Sequence, residues 1–383
     1  FTVARRDLPN PVPANWLTEE VGDKVVKVTI SGDLSVKMNS FRELEVQAAG
    51  VLPTGFEPGE HYNSRFHPRG LQMAIAGASD ALNSIGIDWQ TILGEVDPDE
   101  VAVFAASGLG QLDEYGLSGY LQARLKSSRP STKQMALSFT SMPADFVNAY
   151  VCGSVGSLGG VTGACATFLY NLRIAVNEIT AGRLRLAVVG SSEAPVTPEI
   201  IEAFAAMNAL GSDERIARLD NAEKANHRRA SRPFGDNCGF TIGESSQYFV
   251  LMDDKLALEL GAEIYGAVPS VFVNADGYKK SISAPGAGNY ITLAKAVASA
   301  QAIVGEQSIQ QRSFVQAHGS STPQNRVTES TIFDKVAKAF DIPAWPVTAV
   351  KAFVGHPLAP ASGDQLANSL GVFADGIIPG IKT

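Results

Sequence analysis

Short β-branched apolar runs alternate along most of the chain with longer stretches whose apolar residues recur at helical spacing. Residues 24–30 (KVVKVTI) and 101–106 (VAVFAA) read as strands, and 68–84 (PRGLQMAIAGASDALNS) between them reads as a helix. The order continues with an apolar, helical 146–156, a helix over 165–181 (CATFLYNLRIAVNEITA) and a buried strand over 184–190 (LRLAVVG). After a charged helical stretch around 213–230, strands are expected at 246–252 and 263–274 and a helix at 290–304. A strand at 313–317 then leads into His318, a helix covers 326–340, a strand at 346–350 leads into Lys351, and a last helix begins near 360. Such alternation predicts a parallel α/β sheet. The grammar runs twice, and no Ser/Pro-rich linker or charge block interrupts it, so we expect two intimately packed halves, 1–255 and 256–383.

Hydrophobic residues make up 45% of the 383 positions, enough for a large core, and no apolar stretch is long enough to span a bilayer. A net charge of -8 argues against general affinity for nucleic acid. Neither a nucleic acid nor a membrane is expected as a partner. The three cysteines, Cys152, Cys165 and Cys238, are scattered and form no CxxC pair, which excludes a disulfide framework and gives no reason to expect a metal. Together with an N-terminus (FTVARRDLPN) that lacks the apolar core of a signal peptide, this predicts a reducing, cytoplasmic setting. The abrupt start and finish (GIIPGIKT) suggest part of a longer natural chain.

The segment GVTGACATF sets Cys165 among Gly163, Ala164 and Ala166, residues small enough for a sharp turn from extended chain into a helix. A thiol at a helix start meets unsatisfied N–H groups and the positive end of the dipole, which enrich its thiolate and can stabilise an oxyanion. A free cysteine is also commonly a small buried hydrophobe, and local context alone leaves both readings open for Cys165. Cys152 and Cys238 lack the elbow and are read as structural.

Of five histidines, His318 (QAHGSSTP) and His356 (KAFVGHPL) follow β runs and lie near glycine, where a side chain is exposed at a sheet's end. His61, His67 and His227 sit in polar surroundings and receive no role. Two imidazole N–H donors aimed at one thioester carbonyl would stabilise an enolate as carbon dioxide leaves. Lys351, five residues before His356, supplies positive charge, and Glu329 is expected to hold that lysine.

These segments resemble the β-ketoacyl-acyl-carrier-protein synthases of the thiolase-like superfamily. The resemblance rests on GVTGACATF, on Arg232 to Phe234 followed by GFxxGE (Gly239 to Glu244), on HGSSTPxxxxxE (His318 to Glu329) and on KxxxGH (Lys351 to His356), in the family's order and covering roughly residues 70 to 383. It implies a thiolase-like αβαβα five-layer sandwich of two duplicated halves. It further implies Cys165 as acyl acceptor, with His318 and His356 promoting decarboxylation of a malonyl thioester and Lys351 and Glu329 in support. Ser320 and Thr322 match positions that hold a pantetheine arm, with Ser320 where Thr is usual. No cofactor of the protein's own is implied, since substrates ride on the phosphopantetheine of an acyl carrier protein or on CoA. An obligate homodimer would bring part of 139–148 near the partner's acyl pocket. Three departures stand out: Asp236, Asn237 and Cys238 replace the usual charged residues before GF, the family's closing glycine-rich loop is absent, and the segment before 70 is unfamiliar. The last suggests a divergent branch, one that starts chains from an acetyl primer.

An acyl carrier protein is strongly acidic, so its docking site should be basic. Arg65 with Arg69, and Arg124, Lys126, Arg129 and Lys133, are the candidate clusters; the competing view of each is an ordinary solvated helix face. Phe168, one turn beyond Cys165, is bulky where many relatives carry a small residue, which would narrow the acyl cavity in favour of short primers. Competing activities are a thiolase, disfavoured because no cysteine follows Cys238; a non-catalytic partner subunit such as a chain-length factor, disfavoured because Cys165, His318, Lys351 and His356 are all kept; and a thioester hydrolase, for which two histidines are a poorer match than a Cys–His pair with an orienting acid.

Overall fold

A computed structural model describes residues 1–34, 43–126, 128–277 and 284–381. Residues 1–43 form one compact unit and 44–383 another; the expected 255/256 division falls inside the second. In the first unit, β1 (Thr2–Ala4), β2 (Trp16–Gly22) and β3 (Val25–Ile30) form an antiparallel sheet with β3 in the centre. The expected strand at 24–30 is therefore present but does not open the parallel sheet. Its alternation explains why: Val26 and Val28 are buried while Val25, Lys27 and Thr29 face solvent, the pattern of a one-sided antiparallel sheet.

The second unit centres on β4 (Val101–Ala106), β5 (Leu158–Gly159), β6 (Leu186–Glu193) and β7 (Ser245–Met252), in the order β5-β4-β6-β7. Every residue of β4 and β6 is buried, as two-sided coverage demands. Ala74, Ala78 and Leu82 of the helix Arg69–Ser84 pack on Val101, Val103, Leu186 and Val188 of one face. On the other face, Phe168, Leu172, Ala175 and Val176 of the helix Thr167–Thr180 meet Ala102, Phe104, Ala187 and Val189. Alternate residues of each strand thus feed opposite layers. The pairings β4·β5 and β4·β6 are parallel, but β7 joins antiparallel to β6, a departure from the all-parallel expectation.

Farther along, β8 (Val315–Gln316) and β9 (Val347–Thr348) pair in parallel, each followed by a chemically important loop. The helices Ala287–Val304 and Pro323–Ala339 share a core of Val297, Ile309, Ile332, Val336 and Ile342. Residues 263–274, expected as a strand, form neither strand nor helix among the described residues. Val268 and Val271 still pack onto the main core, so the apolar signal was real; a strand also needs a neighbour for its N–H and C=O groups. Likewise the expected helix 146–156 is a helix Met142–Val147 continued only by a wide turn, Asn148–Cys152, and the one around 213–230 is confined to Asp213–Leu219.

Candidate active site

Cys165 lies two residues before the helix Thr167–Thr180, on a turn rather than in its first helical turn. Ala164 adopts φ +49°, and Thr167 locks the turn: its hydroxyl donates to the Ala164 carbonyl (2.7 Å) and accepts the Gly163 N–H (3.0 Å). A Cβ on Gly163 would lie 2.4 Å from the Tyr170 ring, so only glycine fits. Fully buried Asn171 clamps the approach by exchanging two hydrogen bonds with the Val161 backbone.

His318 stands two residues beyond β8. Glu329, from the helix Pro323–Ala339, accepts the N–H groups of His318 (2.7 Å) and Gly319 (2.8 Å) and a third bond from Asn325 (2.7 Å). Lys351, 1% exposed, donates to the His318 carbonyl at 2.7 Å and reaches its Nδ1 at 3.4 Å. Glu329 and Lys351 make no ion pair with each other, although their charges still interact; instead of the acid holding the lysine directly, as expected, both brace the His318 loop. His356 is tied to the GFxxGE segment, donating its N–H to Thr241 (2.7 Å) and accepting that of Gly243 (3.1 Å), while its Nδ1 accepts the Leu358 N–H at 3.0 Å.

These three loops bring Cys165, His318 and His356 together: one ligand atom from each lies within 4.8 Å of the others. The two imidazoles stand nearly perpendicular, 5.1 Å apart at 82°. Burial holds both rings well below the ordinary imidazole pKa, and the Lys351 charge adds to this. The rings are therefore neutral, and since each Nδ1 accepts a hydrogen bond, the proton of each sits on Nε2. Burial also lowers the Lys351 ammonium to about 8, a fall opposed by the negative charges of Cys165, Glu329 and Asp364. A thiol and two imidazoles are also a zinc ligand set. Ligation through Nε2 would first have to displace the protons that these hydrogen bonds hold there.

Strain gathers at the same place. Ala164, Ser321 and Leu358, with φ of +49°, +63° and +62°, each adjoin a reactive group or its loop, and side-chain-bearing residues adopt this region only when the surroundings enforce it.

The other expected residues divide. Ser320 and Thr322 are buried and 3.1 Å apart, hydroxyl to hydroxyl. Phe168 is fully buried, edge-on to Phe249 at 5.4 Å in the sheet core. Arg124, Lys126, Arg129 and Lys133 are exposed and make no ion pair among the described residues; Arg65 is exposed over the Phe66 ring. Arg69 does not belong with them. Its guanidinium holds the buried Glu244 through two bonds of 2.8 and 2.9 Å and Glu57 through a third, so its charge is already neutralised. His67, placed in polar surroundings by its neighbours in the sequence, is buried, bonded to the Tyr62 hydroxyl at 3.0 Å and packed on Phe146. Glu193, Asn171 and Asp364 escaped the sequence reading. The signal available for Glu193 was an acid closing an otherwise apolar strand, LAVVGSSE.

Residues 23–257 match the family model of the β-ketoacyl synthase N-terminal domain, and residues 265–382 that of the C-terminal domain. The chain is 60% identical over all 383 residues to β-ketoacyl-[acyl-carrier-protein] synthase FabY of Pseudomonas aeruginosa, and spans 60% of that protein's length. It is 28% identical over 351 residues to the fatty acid synthase alpha subunit stcJ of Emericella nidulans, covering 87% of this chain and 22% of that one. The crystal structure of the P. aeruginosa ketosynthase FabY superposes with a TM-score of 0.96, over 100% of this chain and 60% of the other. A polyketide ketosynthase solved with its acyl carrier protein, 23% identical, shares the fold at a TM-score of 0.68 over 87% of this chain and 75% of its own. The thiolase-like fold class expected from the sequence is thereby established.

Proposed function

The chain belongs to the β-ketoacyl synthase family, and from that premise we propose that it condenses an acyl group carried on Cys165 with a malonyl thioester. In the first half-reaction Sγ attacks the primer's thioester carbonyl, and the donor thiol departs with a proton. In the second, the bond from the malonyl thioester to its carboxylate breaks, carbon dioxide leaves, and the electron pair is held as an enolate. Nε2–H of His318 and of His356 donate to the enolate oxygen. The enolate carbon then attacks the acyl carbonyl, and the C–S bond to Cys165 breaks to return the thiolate. Lys351 and Glu329 brace the loop that carries His318.

The observation behind this reading is the convergence, within 4.8 Å, of a thiol and two neutral imidazoles whose Nδ1 atoms are both occupied. Two neutral donors suit an enolate oxygen; a hydrolase needs one imidazole free to take a proton from water.

The primer and extender are proposed to arrive on phosphopantetheine or CoA, with Ser320 and Thr322 at the pantetheine arm, no cofactor of the protein's own and no metal. Phe168 limits the primer to short acyl groups. The acyl carrier protein docks on Arg124, Lys126, Arg129, Lys133 and Arg65, supported by their exposure and single sign. A homodimer is supported by the open edge of β5, where Leu158 and Val161 are each 43% exposed and Val155 is 74% exposed. The meeting of the two family models between 257 and 265 supports the division into halves 1–255 and 256–383. No helix among the described residues is long and apolar enough to cross a membrane. Neither a membrane nor a nucleic acid is proposed as a partner, and the cytoplasm is proposed as the setting.

Carbon dioxide release from a malonyl thioester, with and without iodoacetamide, tests the reading. Decarboxylation that survives alkylation of Cys165 while condensation is lost is the expected result. No release under either condition would favour a hydrolase or a silent subunit, and so would a His356→Ala variant with normal turnover.

A further inference from the structure

We infer that Glu193 is a positioning residue for this chemistry: its carboxylate fastens the Leu358–Ala359 turn to the loop beside Cys165, and through that turn keeps the proton of His356 on Nε2. The inference rests on the ketosynthase reading for what His356 does, and on geometry for the rest. Glu193 closes β6 and is 2% exposed. Its two oxygens accept the N–H of Gly108 at 2.5 Å and of Leu109 at 3.2 Å, and the Ala359 N–H faces the carboxylate and favours its charged form.

Four pieces of chain meet at this point. A Cβ on Gly108 would lie 3.0 Å from Glu193 Oε2, 3.4 Å from the Ala359 Cβ and 3.7 Å from the carbonyl of Ala164, the residue before the thiol. Consecutive peptide groups then part company. The Leu358 N–H turns to His356 Nδ1 at 3.0 Å, and the Ala359 N–H turns to Glu193. Leu358 does this in a left-handed backbone, a conformation that needs outside support. Without the carboxylate the turn can relax, the Leu358 N–H leaves Nδ1, and the proton is free to move there.

The same device appears on the other imidazole, where Glu329 accepts the His318 and Gly319 N–H groups. Each reactive histidine thus has its loop clasped by its own buried carboxylate, one reaching in from a helix and the other from the end of a strand. No cation pairs with Glu193 among the described residues, and the three N–H groups that face it are donors, which the anion accepts without leaving an O–H of its own unpaired. Burial opposes this and pushes the carboxyl up to about 8, so the clasp is tightest from that pH upward.

Glu193→Gln keeps the size but turns an amide N–H₂ against a backbone N–H; Glu193→Asp keeps the charge but is one methylene too short to span Gly108 and Ala359. Nitrogen NMR of ¹⁵N-histidine-labelled protein, with His356 assigned through His356→Asn, reads the tautomer directly. We expect Nε2–H in the parent protein and a shift of the proton toward Nδ1 in both variants. Carbon dioxide release from a malonyl thioester by alkylated protein should fall about 10²-fold, while the rate at which iodoacetamide alkylates unblocked Cys165 changes far less. Unchanged His356 signals in a folded variant would overturn the inference, and so would a parallel loss of alkylation, decarboxylation and melting temperature, which marks a merely structural carboxylate. Should Glu193→Gln not fold, Glu193→Asp carries the same readouts. If the parent protein itself releases no carbon dioxide, the ketosynthase reading fails, and the tautomer signals still decide this one.

Discussion

Lys351 touches His318 twice, donating to its carbonyl oxygen at 2.7 Å and meeting its ring Nδ1 at 3.4 Å. The ammonium thereby orients the loop and the imidazole together. It is also a buried cation close to the thiol.

Lys351→Met removes both effects while nearly preserving volume. Decarboxylation should fall by about 10² to 10³, the scale for a positioned group acting in the transition state. The pH at which Cys165 becomes half-alkylated should rise, because a nearby positive charge no longer favours the thiolate. An unmoved alkylation profile would separate Lys351 from the thiol.

A second prediction concerns pH. Both histidines are held below their ordinary pKa, so their neutral forms persist through neutral pH, and Lys351 loses its charge as pH rises through about 8. Decarboxylation by alkylated protein should be level between about pH 6.5 and 7.5 and decline above about 8. Stability has the opposite sensitivity. Below about 6.5 an unfolded chain protonates these imidazoles while the fold refuses the proton, so the two rings withdraw stability as pH falls from there and stop doing so below their folded pKa values, while the raised Glu193 carboxyl acts in the opposite sense. Imidazole NMR signals of His318 and His356 that titrate between pH 7 and 5 would contradict the neutral rings.

Gly163→Ala tests the nucleophile turn. The added methyl would lie 2.4 Å from the Tyr170 ring, closer than carbon atoms approach, so the ring or the turn must shift. We expect a loss of roughly 1 to 3 kcal/mol in stability and a larger drop in acyl transfer than in decarboxylation, because the change is two residues from Cys165 in the chain, whereas His318 and His356 are held by hydrogen bonds of their own loops. Calorimetry and the two half-reactions measured separately check this.

Charge reversal at Arg124 and Arg129 should raise KM for a carrier-protein-borne extender by about tenfold or more, steeply so at low salt, and leave turnover of a small pantetheine thioester intact. Equal effects on both substrates would assign this stretch to folding rather than docking.

Much of this site was legible because its residues follow β runs or sit at small-residue turns, and those are local features. Cys165 and His318 lie far from each other and from the Lys351–His356 segment in sequence, and all converge in space. Partnerships were harder to see. Arg69 reads as a free surface charge until Glu244, 175 residues away, folds beneath it. His67 reads as polar surface until Tyr62 and Phe146 close over it. The span 263–274 has the composition of a strand, but pairing belongs to the neighbour as much as to the segment. Glu193 was invisible for a related reason: its partners are backbone N–H groups, which every sequence possesses.

Ala164, Ser321 and Leu358 stand on backbone that only glycine occupies at ease, at about 1 to 2 kcal/mol each. Glycine would not relieve this evenly: at Leu358 it would empty a core position, and at Ser321 it would remove the hydroxyl that accepts the Arg232 N–H. Of the three only Ala164, beside the thiol, could be eased without such a loss, and a looser hinge there would let the nucleophile visit more orientations.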